Sequence, residues 1–174
     1  MPRRLLALVV SLSVLSGPAG AASLQTGFSP EGSAEALVLK VIGSAKHDLR
    51  MMGYSFTSPT ISAALAKAAR SGVDVKLVLD EHGNEGKASK NAMNYVVNAG
   101  VQLRTIDKYK IQHDKVIVVD GQTVETGSFN YTASAAKANS ENVLVAWEVP
   151  DLAADYLRHW QSRWDQGTDY RSSY

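Results

Sequence analysis

His113-Asp114-Lys115-Val116-Ile117-Val118-Val119-Asp120-Gly121-Gln122-Thr123-Val124-Glu125-Thr126-Gly127-Ser128-Phe129-Asn130 is the stretch on which the reading of both fold and chemistry depends. Val116 to Val119 has the apolar, β-branched composition of a buried strand, Asp120-Gly121 is a two-residue hairpin turn, and Gln122 to Thr126 forms the returning strand. Strand side chains alternate with a period of two, which places His113 and Lys115 on one face. With Val119 and Gln122 flanking the turn, the register sets Thr126 opposite Lys115 and Ser128 opposite His113, with Asn130 just beyond. The expectation is a cluster of imidazole, ammonium, hydroxyl and amide at one end of an apolar hairpin. Asp120 lies about 23 Å from His113, a strand rising roughly 3.3 Å per residue. It is therefore expected to serve the turn, where Asp bonds nearby backbone and tolerates unusual dihedrals.

The same residues carry a resemblance. His113, Lys115, Asp120, Gly127, Ser128 and Asn130 match the H-x-K-x4-D-x6-G-S-x-N signature of the phospholipase D superfamily without a departure inside the motif. The layout, one motif in a small chain behind an apparent leader, is similar to the small bacterial Nuc-type endonucleases of that superfamily. The resemblance implies phosphodiester cleavage in two displacements through a covalent phosphohistidine, with no metal and no other cofactor. It implies His113 as nucleophile, Lys115 and Asn130 on the nonbridging phosphate oxygens, Ser128 as a further donor, and Glu141 as an acid that orients a histidine. Glu141 is equally readable as the residue that opens a strand.

Such a reaction needs two histidines, and larger members of the superfamily carry two motifs in one chain. Here His47, His82 and His159 each lack a lysine two residues on. The second imidazole is expected from another copy, in a homodimer whose two-fold axis runs through one shared site. An imidazole that titrates around neutrality suits both roles, attack in one copy and protonation of the leaving oxygen in the other. Taken singly, a strand-end histidine or a surface lysine is ordinary; six residue types at this spacing are not.

The amino terminus points to export. Arg3-Arg4 precede an apolar run from Leu5 to Leu15, and Ala19-Gly20-Ala21 offers small residues for cleavage, so residues 1–22 read as a signal peptide and 23–174 as the domain. The apolar run is short for a membrane span. A bacterial periplasmic or secreted protein, with no stable membrane association after cleavage, is expected. Cysteine is absent, which excludes disulfides and thiolate metal sites. Without Arg3 and Arg4 the 18 basic residues become 16 against 17 acidic, a formal charge of −1. Net charge therefore gives a nucleic-acid partner no help.

Strands and helices alternate along the remainder, long enough for one well-buried domain. Ser29-Pro30-Glu31 reads as a helix start running through Ile42, and Ser58-Pro59 opens a helix ending near Gly72. His47 to Phe56, Val73 to Asp80, Val101 to Ile106 and Glu141 to Val149 read as strands, with a helix from Lys87 to Ala99. Pro150-Asp151 begins a last helix with Leu152, Tyr156, Leu157, Trp160 and Trp164 on one face, and the tail from Gly167 is expected to fray. The fold class is α/β, a mixed β-sheet flanked by helices on both faces, in one domain; the resemblance implies the same phospholipase D-like fold.

Two loops are further candidates. Lys108-Tyr109-Lys110 combines charge with a stacking surface suited to a nucleic-acid strand, and reads equally as an exposed loop. Glu81-His82-Gly83-Asn84 follows a strand end, where open sheets bind ligands, but reads first as a solvated turn. The sequence favours a nonspecific endonuclease acting on DNA, with RNA open to the same chemistry. A phospholipase D-type lipid phosphodiesterase uses the same site and is the enzymatic alternative. A noncatalytic nucleic-acid-binding protein is the third reading.

Overall fold

The structure, a computed structural model, describes residues 21–174. The leader expected over 1–22 thus lies, but for Ala21 and Ala22, outside the described residues. The elements are β1 (Ser23–Ser29), α1 (Ser33–Ser44), β2 (Asp48–Gly53), α2 (Pro59–Arg70), β3 (Asp74–Asp80), α3 (Lys87–Val97), β4 (Gln102–Ile106), β5 (Lys115–Val119), β6 (Thr123–Gly127), α4 (Ala133–Lys137), β7 (Glu141–Trp147), α5 (Pro150–Trp164) and β8 (Thr168–Asp169). They build one eight-stranded sheet in the order β1-β7-β6-β5-β2-β3-β4-β8. β2, β3 and β4 run parallel to one another and the remaining pairings are antiparallel. The mixed sheet flanked by helices is therefore as expected.

Period-two alternation sorts the strand residues onto two faces. Met51, Leu77, Ile117, Val119, Val143 and Val145 meet α1, α2, α3 and α4 on one face, in the larger core. Met52, Val78, Val116, Val118 and Val124 meet Ala153 and Trp160 of α5 on the other. The central strands carry apolar side chains on both faces because both are covered. α2 begins as its sequence predicts: Ser58 accepts from the Ile61 N–H and Pro59 occupies the first turn.

Several expectations are corrected. The hairpin turn is where it was expected, with Asp120 at φ 51° and Gly121 at φ 62°, but its register is shifted by one residue. Gln122 turns its carbonyl to the Val149 N–H at 2.7 Å and drops out of the ladder, so Val119 pairs with Thr123 and Val116 with Thr126. A one-residue slip reverses every facing. Thr126 lies on the α5 face, away from Lys115, and Glu125 is turned inward instead. His113 precedes β5 rather than lying in a strand, so the strand alternation that was to align it with Lys115 does not apply.

At the amino end, Ser23–Ser29 is a further strand beyond those expected, and α1 starts at Ser33 rather than at Pro30. The tail from Gly167 is docked: Thr168 pairs with Thr105, the Tyr170 N–H donates to Leu103 at 2.8 Å and its hydroxyl to Asn94 at 2.8 Å. The turn after β3 is only partly solvated. Asn84 is buried, donating to the carbonyls of Tyr54 and Asp80 and accepting from the Phe56 N–H.

Candidate active site

The sheet brings the ends of β2 and β5 and the segment after β6 to one rim. Lys115 stands opposite Gly53 at the start of β5, so Tyr54, the residue that follows β2, projects beside the residues that precede β5. The His113 ring packs 5.0 Å from the Tyr54 ring, tilted by 57°. Lys115 Nζ sits 5.5 Å from the same ring centroid and donates to the His113 carbonyl at 2.8 Å. An exposed imidazole and a buried ammonium thus share one aromatic wall. Burial lowers the pKa of Lys115, against the opposing charges of Asp114 and Glu141. Among the described residues the His113 ring makes no hydrogen bond and meets no second imidazole.

The other candidates follow β6. Gly127 stands opposite Val143, and a Cβ there would run into the Asn142 carbonyl. Only glycine lets β6 and β7 approach so closely just before Ser128. Ser128 Oγ donates to Glu141 Oε2 at 2.5 Å and accepts from the Asn142 N–H at 3.1 Å. Glu141 also accepts from Asn139 Nδ2 at 2.9 Å. Its carboxylate therefore engages Ser128 and Asn139, and the hydroxyl proton of Ser128 is committed to it. Asn130 is half-buried, with Oδ1 buried and lacking a partner. The adjoining Tyr131 carbonyl accepts from the N–H groups of Thr57 and Ser58, each at 3.0 Å, which ties this segment to the start of α2.

Asp120 lies at the far end of β5, as the strand length requires. Its carboxylate accepts from the backbone N–H groups of Lys46, His47 and Asp48 at 2.8 to 2.9 Å. It thus joins the hairpin turn to the entry of β2 rather than bonding its own turn. Burial raises its pKa, but those N–H donors outweigh burial and the net shift is downward.

The Lys108-Tyr109-Lys110 segment divides. Both lysines are exposed, whereas the Tyr109 hydroxyl donates to Gln166 at 2.9 Å and Arg163 lies 4.8 Å from its ring centroid. One stacking face is therefore already occupied from α5. Sequence reasoning missed Tyr54, Asp80, Gln112, Asn142 and His159. Tyr54 and Asp80 both lie at strand ends where open α/β sheets place sites; that position was the available signal.

Comparison with known proteins gives a consistent result. The family described as cardiolipin synthase, PLD-like domain, matches residues 38–164. Nuc from Salmonella typhimurium, a phospholipase D family member whose crystal structure is known, is 59% identical with a TM-score of 0.86, covering 87% of this chain and 100% of that one. NucT from Helicobacter pylori is 21% identical with a TM-score of 0.74, over 86% of this chain and 100% of that one, a likeness of fold. A phospholipase D of Rickettsia bellii is 38% identical over 141 residues, 80% of this chain and 68% of that protein.

Proposed function

Since the chain belongs to the PLD-like domain family, we propose that it is a metal-independent phosphodiesterase, and specifically an endonuclease that cuts DNA with little sequence preference, RNA being open to the same chemistry. The observation that carries this reading is the exposed His113 imidazole standing beside the Lys115 ammonium on the wall of Tyr54. A ring nitrogen of His113 attacks phosphorus and the bond to the leaving oxygen breaks. That oxygen takes its proton from a second imidazole. The second imidazole then takes a proton from water, the water oxygen attacks the phosphohistidine, and the nitrogen–phosphorus bond breaks. Lys115 and the Asn130 amide hold the nonbridging oxygens and stabilise the charge that builds on them. Glu141 and Ser128 brace that corner of the site through their hydrogen bond.

The second imidazole is His113 of another copy, in a homodimer with the site on its two-fold axis. Supporting this, the His113 ring meets no other imidazole among the described residues. Export to the periplasm or beyond is supported by β1, which begins at Ser23, directly after the expected leader. Among the described residues no helix is long and apolar enough to cross a membrane.

The likeness to Nuc, spanning the whole of that chain, favours nucleic acid as substrate. The Rickettsia phospholipase D relative favours a second reading, hydrolysis of lipid diesters at the same site. Plasmid cleavage by residues 23–174 in excess EDTA, with His113→Ala alongside, tests the first. Cleavage by the wild type alone is expected. Headgroup release from phospholipid vesicles with intact plasmid transfers the assignment to the lipid reading. Cleavage by both proteins removes His113 from the mechanism, and phosphate-dependent DNA binding without cleavage of either diester makes the protein a binding module.

A further inference from the structure

Gln112, His113 and Asp114 belong to no strand, so no backbone ladder fixes the residue on which the proposed chemistry depends. Side chains from three other places do. At the end of β3, Asp80 is 1% exposed; its Oδ1 accepts from the Gly83 N–H at 2.6 Å and its Oδ2 from the Gln112 N–H at 2.7 Å. On α5, His159 Nε2 lies 3.3 Å from Asp114 Oδ2, the oxygen that also accepts from Gln112 Nε2 at 2.9 Å. From β5, Lys115 holds the His113 carbonyl. Every tie goes to a neighbour of His113 or to its backbone, and the imidazole itself is left to Tyr54.

Gln112 shows what this arrangement costs. Its side chain is buried and Oε1 has no partner, a loss of about 1–3 kcal/mol for an unsatisfied buried acceptor. Turning the amide over would not relieve it, because the oxygen would then face the Asp114 carboxylate. The orientation of Gln112 is thus dictated by Asp114, and Asp114 in turn is held from α5. The helix is a stiff support at that point: Trp160, the residue after His159, is buried, stacks on Trp164 and donates from Nε1 to the Met51 carbonyl at 3.1 Å.

Resting on the phosphodiesterase reading of the site, we propose that His159, acting through Asp114, is a positioning residue that holds the His113 segment in its attacking geometry, with Asp80 clamping the other side. His159 touches neither the His113 ring nor Lys115, so its effect falls on the placement of the nucleophile rather than on substrate binding.

His159 and Asp114 are half-exposed, which makes them safer to replace than Asp80. The test uses residues 23–174 as wild type, His113→Ala, His159→Ala, His159→Gln, Asp114→Asn and the double variant His159→Ala with Asp114→Asn. Hydrolysis of bis(p-nitrophenyl) phosphate in EDTA is measured alongside the imidazole carbon–proton NMR signal of His113, assigned by its loss in His113→Ala. A displacement of the nucleophile of about 1 Å can cost about 100-fold. His159→Ala is therefore expected to lower kcat about 10- to 100-fold with KM within about twofold, and to shift or broaden the His113 signal. His159→Gln, which keeps a donor for Asp114, restores kcat to within about threefold, and the double variant loses no more than the worse single one. An active wild type with a dead His113→Ala, but an unchanged kcat and signal in His159→Ala, overturns the positioning role and leaves the phosphodiesterase reading standing. A His159→Gln as inactive as His113→Ala also overturns it, making His159 a proton donor. A wild type inert toward the probe is instead a failure of the phosphodiesterase reading, and takes with it the proposal that rests on it.

Discussion

The ammonium of Lys115 donates to the carbonyl of His113 at 2.8 Å, so the charge proposed to meet substrate is tied to the backbone of the residue proposed to attack it. Burial lowers the pKa of that lysine, while Asp114 and Glu141 act in the opposite direction. Burial thus penalises the charged form of Lys115 in the free protein. Lys115→Met is expected to reduce kcat by about 100- to 1,000-fold, the usual cost of losing an oxyanion donor. It should nonetheless raise the urea midpoint at pH 7. The sign follows from linkage: between the lowered folded pKa and the ordinary 10.5 the unfolded chain binds more protons, so wild-type stability rises with pH across that window. Lys115→Met should lose that rise. A lower midpoint at neutral pH in the variant would show that the buried ammonium stabilises the fold.

Asp120 belongs to the same sequence motif but lies at the opposite end of β5, and its bonds to the backbone of Lys46, His47 and Asp48 are structural. Asp120→Asn keeps a residue that tolerates the positive φ and removes the charge. A loss of about 2 kcal/mol is expected, from charge-assisted hydrogen bonds that each contribute roughly 1.5–3, with kcat within about twofold of wild type. Because the folded pKa is depressed, the stabilisation is present above the ordinary 3.8 and disappears as pH falls through the depressed value. Urea unfolding at pH 3 and pH 7 measures it. A folded Asp120→Asn with little activity would place Asp120 in the chemistry after all.

What the sequence did and did not disclose follows from where the information lies. Strands with apolar side chains on both faces, such as Val116 to Val119 and Leu77 to Leu79, are legible because burial on both sides leaves no polar positions. β1 is not, because its pattern is reversed: Gly27 and Ser29 face the core, while Leu24 and Phe28 are 69% and 51% exposed. The hairpin turn is legible from Asp120-Gly121, but its register depended on Gln122 bonding Val149, a contact no local pattern reveals. Motif residues could be found by spacing. The ties from Asp80 and His159 to the His113 segment span 32 and 45 residues, and only the folded chain brings them together.

The shared site proposed at a two-fold axis would make activity depend on assembly. Sedimentation of residues 23–174 should give a dimer, and specific activity should fall on dilution as subunits part. Mixing gives a sharper result. If each site needs His113 from both copies, a tenfold excess of His113→Ala should leave about one wild-type subunit in eleven with a wild-type partner after random exchange. Activity should fall accordingly. Undiminished activity after complete exchange would mean that one chain carries the whole site.

Glu125 is the residue that the shifted register turns inward, and it comes to lie fully buried with Oε2 accepting from the Tyr131 hydroxyl at 3.0 Å and Oε1 unpartnered. Burial pushes its pKa up to about 8 against the opposing hydrogen bond from Tyr131, whose own pKa is raised well above 10.0 chiefly by the same burial. The native state therefore holds a neutral acid at neutral pH. Between the ordinary 4.5 and about 8 the folded chain binds the extra proton, so stability is greatest below that window and falls by about 1.4 kcal/mol per pH unit within it. Glu125→Gln keeps an acceptor for Tyr131 without the titration and should flatten the slope between pH 5 and 8. Tyr131 immediately follows Asn130, and its carbonyl receives Thr57 and Ser58, so a charge forming beneath it should loosen the segment that carries the amide proposed to bind phosphate. Wild-type kcat should accordingly decline above pH 8, and Glu125→Gln should hold its activity there. Parallel urea titrations and pH–rate profiles of the two proteins decide the matter; equal slopes would mean that Glu125 is already ionised in the fold.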